Sequence, residues 1–170
     1  MDLKNYIIDV NDFPQKGIIF RDITPLIASG EAFKYACDEL SAFAKSKKAE
    51  VIVGPESRGF FFGCPVAIEL GIGFVPARKA YKLPRAVFSE NYDLEYGQDA
   101  VQIHQDALKR GQRVVIIDDL LATGGTLDAV IRLVNKAGAK VVGIGFVVEL
   151  KDLNGRQRFG KYDIHSLVTY

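Results

Sequence analysis

Among its 170 residues the chain has no tryptophan, one methionine, two cysteines and two histidines. The cysteines, Cys37 and Cys64, are too few to staple a fold. Each falls in a stretch of helical pattern among apolar neighbours, as buried reduced thiols do. His104 and His165 stand alone, and no Cys/His set has zinc spacing, so no metal site built from the protein's own side chains is expected. An excess of either charge is also missing: 22 basic residues meet 21 acidic ones, for a formal net charge of +1. A general nucleic-acid binder needs a basic surplus to displace counterions, so nucleic acid is not an expected partner. No long apolar run survives intact. Phe60 to Ala77 comes nearest, apolar apart from Glu69, but Gly63, Pro65, Gly71, Gly73 and Pro76 interrupt it. A short helix followed by a buried strand fits it better than a membrane span. Met1 to Asp9 carries acids early and has no apolar core like that of a signal peptide. No membrane partner is expected, and the expected location is cytoplasmic.

What is present is ordinary globular material, 48% hydrophobic and 25% charged, at a length typical of one domain. Strand and helix patterns alternate, which predicts an α/β fold with a central, mostly parallel sheet flanked by helices. Ser29 can cap a helix running to Ser46, with Ala32, Phe33, Ala36, Cys37, Leu40, Phe43 and Ala44 at spacings of three and four. Val51–Val53 reads as a short buried strand, Gly54–Arg58 as a loop, Phe60–Leu70 as a helix and Gly73–Arg78 as the next strand. Ala86–Tyr92 and Ala100–Ile103 read as extended segments of a hairpin-like excursion. Arg113–Ile117 is the most apolar strand, closed by Asp118. A helix with Leu127, Val130, Ile131, Val134 and Ala137 on one face ends at Gly138. Val141–Val148 is a long buried strand, and Ile164–Val168 a final edge strand. Residues 1–30, with Pro14 and Pro25, stand apart as a hood over a single domain of residues 1–170.

The strongest local signal is VVIIDDLLATGGT, Val114 to Thr126. A buried strand delivers two adjacent acids, Asp118 and Asp119. Ala122, Thr123, Gly124, Gly125 and Thr126 then open a helix. A helix start offers unpaired N–H groups and partial positive charge, glycines admit a phosphate closely, and the threonines add hydroxyls. The acids would repel phosphate, but they accept hydrogen bonds from vicinal hydroxyls. Phosphate donors and hydroxyl acceptors a few residues apart suit a ribose 5-phosphate. A Walker loop is excluded, because Phe60 stands where the lysine of the Gly54–Gly59 spacing would be, and no G-x-G-x-x-G opens a helix. Two further features gather at strand ends: the Gly54–Gly59 loop with Arg58, and a basic cluster of Arg78, Lys79, Lys82 and Arg85. Both suit pyrophosphate oxygens.

The run Val114–Thr126 resembles the phosphoribosyl-diphosphate motif of the type I phosphoribosyltransferases. FPQKGIIFRDITPL, GPESRGFFFG, ARKAYKLP, YDLEYGQDA and VVELKDLNGR extend the resemblance, in order, over nearly the whole chain. It is closest to the members of the family that use adenine. The resemblance implies the family's fold, with the hood over residues 1–30 and a mobile lid over residues 82–98. It implies transfer of phosphoribose from phosphoribosyl diphosphate to adenine, giving AMP, with Mg2+ bound mainly through substrate oxygens. It implies a homodimer in which Arg78 reaches the neighbouring site.

Residue by residue, the resemblance puts Glu56, Ser57, Arg58, Arg78, Lys79, Lys82 and Tyr96 on the diphosphate side and makes Glu95 the catalytic candidate. It gives the adenine edge to the backbone at Ile19 and Arg21, and the ring faces to Phe20 and Leu150. Asp118 and Asp119 either both bind ribose hydroxyls, or one of them meets Mg2+ through water. A ligand-sensing regulator of the same fold would carry an added DNA-binding module, and no segment here reads as one.

Overall fold

The apolar residues of the central strands serve both faces of the sheet. In a computed structural model, which describes residues 1–93 and 97–170, Val51, Val53, Val114 and Ile116 join one core cluster. Their neighbours Ile52, Val115 and Ile117 join another on the opposite side. A strand buried on both faces must be covered by helices on both.

The chain begins with a 3-10 turn, Leu3–Tyr6, then an antiparallel pair, β1 (Ile8–Asn11) and β2 (Ile19–Asp22). Two helices follow, α1 (Thr24–Ala28) and α2 (Gly30–Ser46). Ser29 caps α2 by accepting a hydrogen bond from the Ala32 N–H at 3.3 Å. Next come β3 (Val51–Pro55), α3 (Arg58–Leu70), β4 (Gly73–Lys79), β5 (Val87–Asp93), β6 (Gln98–His104), β7 (Arg113–Leu121), α4 (Gly125–Lys136) and β8 (Lys140–Glu149). Two 3-10 turns, Lys151–Leu153 and Gly155–Phe159, lead to β9 (Ile164–Thr169). The main sheet has the order β5-β6-β4-β3-β7-β8-β9. Strands β4, β3, β7, β8 and β9 pair in parallel, and the β5–β6 hairpin adds antiparallel strands at one end.

The expected helices and strands are present, and three of the boundary shifts bear on the site. Strand β3 runs through Pro55 and α3 starts at Arg58, so the expected loop Gly54–Arg58 shrinks to Glu56 and Ser57. Strand β7 runs to Leu121, so Asp118 and Asp119 lie within it and not at its end. The reason is pairing: Pro55 lies beside Ala77, and Leu120 and Leu121 beside Val148 and Glu149. Neighbouring strands supply backbone partners that the local sequence cannot reveal.

Helix α4 buries Leu127, Ala129, Val130, Ile131, Leu133 and Val134 against β7 and its neighbours. At about 1.5–3 kcal/mol for each large aliphatic side chain, that face contributes on the order of 10 kcal/mol before chain entropy is counted. Helices α2 and α3 pack on the other face through Leu40, Phe62, Val66 and Ala67. The N-terminal segment joins that second cluster through Leu3, Ile7, Ile23 and Leu26.

This sidedness positions the site. Neighbouring strands β3 and β7 are followed by helices on opposite faces, α3 on one and α4 on the other. The two connections part at the carboxyl ends of the strands and leave a crevice, the usual ligand position in open parallel sheets. Among the described residues no helix is long and apolar enough to cross a membrane.

Candidate active site

A cavity of about 410 Å3 opens at that crevice. One wall is the β3–α3 turn, Glu56, Ser57 and Arg58, where the Glu56–Ser57 peptide is cis. The opposite wall is Ala122 to Leu127, the turn into α4. Asp118 and Asp119 lie between them, and Lys79 closes one side from the end of β4. No side chain caps α4, whose N-cap position is Gly124 at φ +86°. The first-turn N–H groups are therefore available to a ligand, and the helix end favours an anion.

Asp119 is 4% exposed and pairs with Arg58, Nε to Oδ2, at 3.0 Å. The pairing is ionic without the alignment of a hydrogen bond, and among the described residues Oδ2 has no other donor. The Asp119 N–H donates to Asp118 Oδ1 at 2.8 Å. Burial pushes the Asp118 carboxyl well above the usual carboxylate range, and the neighbouring Asp119 charge pushes it further. Burial also raises Asp119, but Arg58 opposes the rise. Two adjacent acids with one cation, Asp119 buried and Asp118 partly so, resist full ionisation until something arrives to share their charge. Vicinal hydroxyls donating to them would do so.

Glu56 faces the basic cluster. Its Oε2 accepts from Arg78 Nη2 at 3.1 Å and from Nε at 3.3 Å, and its Oε1 accepts from the Lys79 N–H. Arg78 also reaches the Lys82 carbonyl, at 3.5 Å, while Lys82 itself is exposed. Lys79 Nζ lies 3.6 Å from Asp99, which accepts from the Tyr92 hydroxyl at 3.1 Å. Burial and the nearby Asp99 charge push the Tyr92 phenol up to about 12, so it remains a proton donor through neutral pH.

The structure thus brings Glu56, Ser57, Arg58, Lys79, Asp118, Asp119 and Ala122 to Thr126 around one cavity. Arg78 and Lys82 are outside its lining, with the Arg78 guanidinium on Glu56 of its own chain. The expected base-binding residues are at the periphery. Phe20, in β2, lies beneath the Arg58 guanidinium at 5.4 Å and meets Phe13 edge-on at 5.2 Å. Ile19 is 47% exposed. Arg21 lies 3.9 Å over the Tyr170 ring and pairs with Asp9. The Leu150 N–H donates to the Leu121 carbonyl at 3.0 Å. Glu95 and Tyr96 lie outside the described residues. Phe146 also lines the cavity, unanticipated from the sequence, as do Tyr92 and Asp93, which the sequence placed in the lid without singling them out. Their segments read only as extended, and strand pairing alone decides which strand ends share a crevice.

Among the described residues no three His, Cys, Asp or Glu side chains converge as a metal site. The lining still carries four carboxylates, Glu56, Asp93, Asp118 and Asp119, against two cations, Arg58 and Lys79. A polyanionic ligand entering such a cavity needs counter-charge of its own. Hard carboxylate oxygens with room for substrate oxygens fit a divalent cation carried in by the ligand.

The model of the phosphoribosyl transferase domain family matches residues 26–169. The chain therefore belongs to the phosphoribosyltransferase family. It is 59% identical over 170 residues to adenine phosphoribosyltransferase of Lactobacillus delbrueckii subsp. bulgaricus, covering 100% of this chain and 97% of that one. Within the family its place is among the adenine phosphoribosyltransferases. Two crystal structures of such enzymes are also similar. That from Thermoanaerobacter pseudethanolicus superposes with a TM-score of 0.95 at 48% identity, over 99% of this chain and 98% of that one. That from Saccharomyces cerevisiae, complexed with adenine and an imino-altritol bisphosphate, has a TM-score of 0.93 at 38% identity, over 98% and 96%.

Proposed function

We propose that this chain transfers the 5-phosphoribosyl group from phosphoribosyl diphosphate to adenine, giving AMP and pyrophosphate. The observation that carries the reading is one cavity that has the uncapped α4 turn on one side, Ser57, Arg58 and Lys79 on the other, and Asp118 and Asp119 between them. The Ala122–Thr126 turn takes the 5-phosphate on backbone N–H groups. Ser57, Arg58 and Lys79 take the diphosphate. Asp118 and Asp119 accept from the ribose hydroxyls between them.

The bond from the anomeric carbon to diphosphate oxygen breaks as the bond to an imidazole nitrogen of adenine forms, and that nitrogen's proton leaves. Phe20 offers the base an aromatic face beside Arg58, Leu150 covers the other face, and the backbone at Ile19 and Arg21 reads its edge. The residues fit Mg2+ held mainly through substrate oxygens, with Asp118 or Asp119 reaching it through water. Bound there, it neutralises charge on the departing diphosphate. On this reading the lid closes over the site from β5, whose Tyr92 and Asp93 line the cavity, and excludes water.

A homodimer completes this reading, with Arg78 leaving Glu56 to reach the neighbour's site. The exposed apolar side chains Phe61 and Ile68 on α3 offer a surface for the second copy. A diphosphorylated sugar does not cross a bilayer, so the reaction belongs in the cytoplasm.

The test is turnover with Mg2+ and phosphoribosyl diphosphate, presenting adenine, hypoxanthine, guanine, xanthine and orotate in turn. Turnover of adenine alone is expected. Preference for another base, or turnover of none, overturns the proposal. On this reading Glu95 shifts the proton of the base or steadies charge on it. Glu95→Ala is expected to lower kcat about tenfold with the Kd for phosphoribosyl diphosphate little changed. An unchanged kcat would remove Glu95 from the chemistry.

A further inference from the structure

The segment after β8 approaches the phosphate turn at four successive residues. The Leu150 N–H donates to the Leu121 carbonyl at 3.0 Å. Gly155 is buried against Ala122 so closely that a side chain there would strike the Ala122 carbonyl. Arg158 Nη1 donates to the Thr123 carbonyl at 3.1 Å. Phe159, 3% exposed, lies with its ring where a side chain on Gly124 would be. The backbone that receives phosphate is thus shaped from behind by residues 150–159.

One ion pair holds that segment in place. Glu149, the last residue of β8 and 3% exposed, accepts from Arg156 Nε at 2.8 Å and from Nη2 at 2.5 Å. Arg156 also donates to the Ile164 carbonyl at 2.8 Å and to Ser166 Oγ at 3.1 Å, both in β9. The Ser166 hydroxyl donates in turn to Glu149 Oε2 at 2.7 Å. Arg156 therefore ties the segment to two neighbouring strands through a planar fork that lysine cannot reproduce.

We infer that Glu149 and Arg156 are positioning residues for 5-phosphate binding, acting through residues 150–159 on the Ala122–Gly125 turn. The inference rests on the proposed reading that this turn receives the 5-phosphate. Neither residue lines the cavity, so the effect passes through backbone geometry alone. The diphosphate wall at Glu56–Arg58 belongs to other elements, and among the described residues no side-chain hydrogen bond of the brace reaches it.

The test compares two probes by calorimetry, ribose 5-phosphate and inorganic pyrophosphate, each with Mg2+. In Arg156→Met, ribose 5-phosphate affinity is expected to fall about tenfold while pyrophosphate affinity stays within twofold. In kinetics the KM for phosphoribosyl diphosphate rises about tenfold, with kcat and the KM for adenine within threefold. Arg156→Lys, which keeps the charge and loses the fork, falls between. Should Arg156→Met fail to fold, the exposed Arg158→Met, which loses the Thr123 hydrogen bond and the guanidinium over the Phe159 ring, is expected to show the same split at two- to threefold. Equal weakening of both probes, or no weakening of ribose 5-phosphate, overturns the inference. Wild-type protein that binds ribose 5-phosphate and turns over no base would overturn the transfer reading, and the probe comparison would still decide the role of the brace.

Discussion

Gly124→Ala is expected to lower kcat/KM for phosphoribosyl diphosphate about a thousandfold, mostly through KM. Two penalties combine. Gly124 has φ +86°, and an L-residue in the left-handed region costs about 1–2 kcal/mol. The added Cβ would also lie 2.5 Å from Phe159 Cε2 and 3.0 Å from Cζ. That ring is 3% exposed and belongs to the core cluster on the α4 side of the sheet, so it has little room to retreat. The turn must move instead, and a displacement of about 1 Å at a binding group already costs on the order of a hundredfold. Gly160→Ala supplies the control, because Gly160 has φ −56° and open space around its Cβ position. Steady-state kinetics on the two variants decide the matter. A Gly124→Ala enzyme within threefold of wild type would show that the turn does not receive the phosphate.

Asp118→Asn is expected to stabilise the ligand-free protein and to damage the enzyme. Asn keeps an oxygen to accept the Asp119 N–H, so the local hydrogen bond survives. What disappears is one of two adjacent carboxylates, with the desolvation and mutual repulsion that raise the Asp118 carboxyl. Relief of about 1 kcal/mol would raise Tm by about 2–4 °C in a domain of this size.

The sign with pH follows from linkage. An acid whose folded pKa lies above its unfolded value, about 3.9, holds a proton in the native state that the unfolded chain has lost. Wild-type stability from this group therefore falls as pH rises from about 4 toward the raised folded value, and the variant is spared that fall. The Tm difference is expected to be small near pH 4 and to widen toward pH 8. Meanwhile a ribose hydroxyl meets a neutral amide in place of a charged acceptor, and kcat/KM for phosphoribosyl diphosphate is expected to fall about a hundredfold. Thermal melts from pH 4 to 8, paired with kinetics, test both halves. A variant that is less stable at pH 8, or as active as wild type, would refute this account of Asp118.

Much of this molecule was legible in the order of its residues. The three-and-four spacing from Ala32 to Ala44 marked α2, and the apolar run ending in Asp118 and Asp119 marked β7. Glycines and threonines after two acids marked a phosphate turn, because only small residues at a helix start leave backbone N–H groups open. These are local properties: a side-chain period, a cap, or a glycine's missing Cβ acts within a few residues of chain.

Other features were decided only by the tertiary structure. The ends of β3 and β7 depended on hydrogen bonds from β4 and β8, which extended both strands beyond their sequence limits. The crevice depended on α3 and α4 taking opposite faces of the sheet. Arg58 meets Asp119, Tyr92 and Asp93 join the lining, and Phe159 fills the space behind Gly124, all through contacts between distant segments. The sequence alone determined the glycine-rich turn, the paired acids and the elements that carry them, because backbone geometry and side-chain pattern are local. The packing of helices on both faces of the sheet determined which charges face one another and what supports the turn, because burial and distance exist only once the chain has folded.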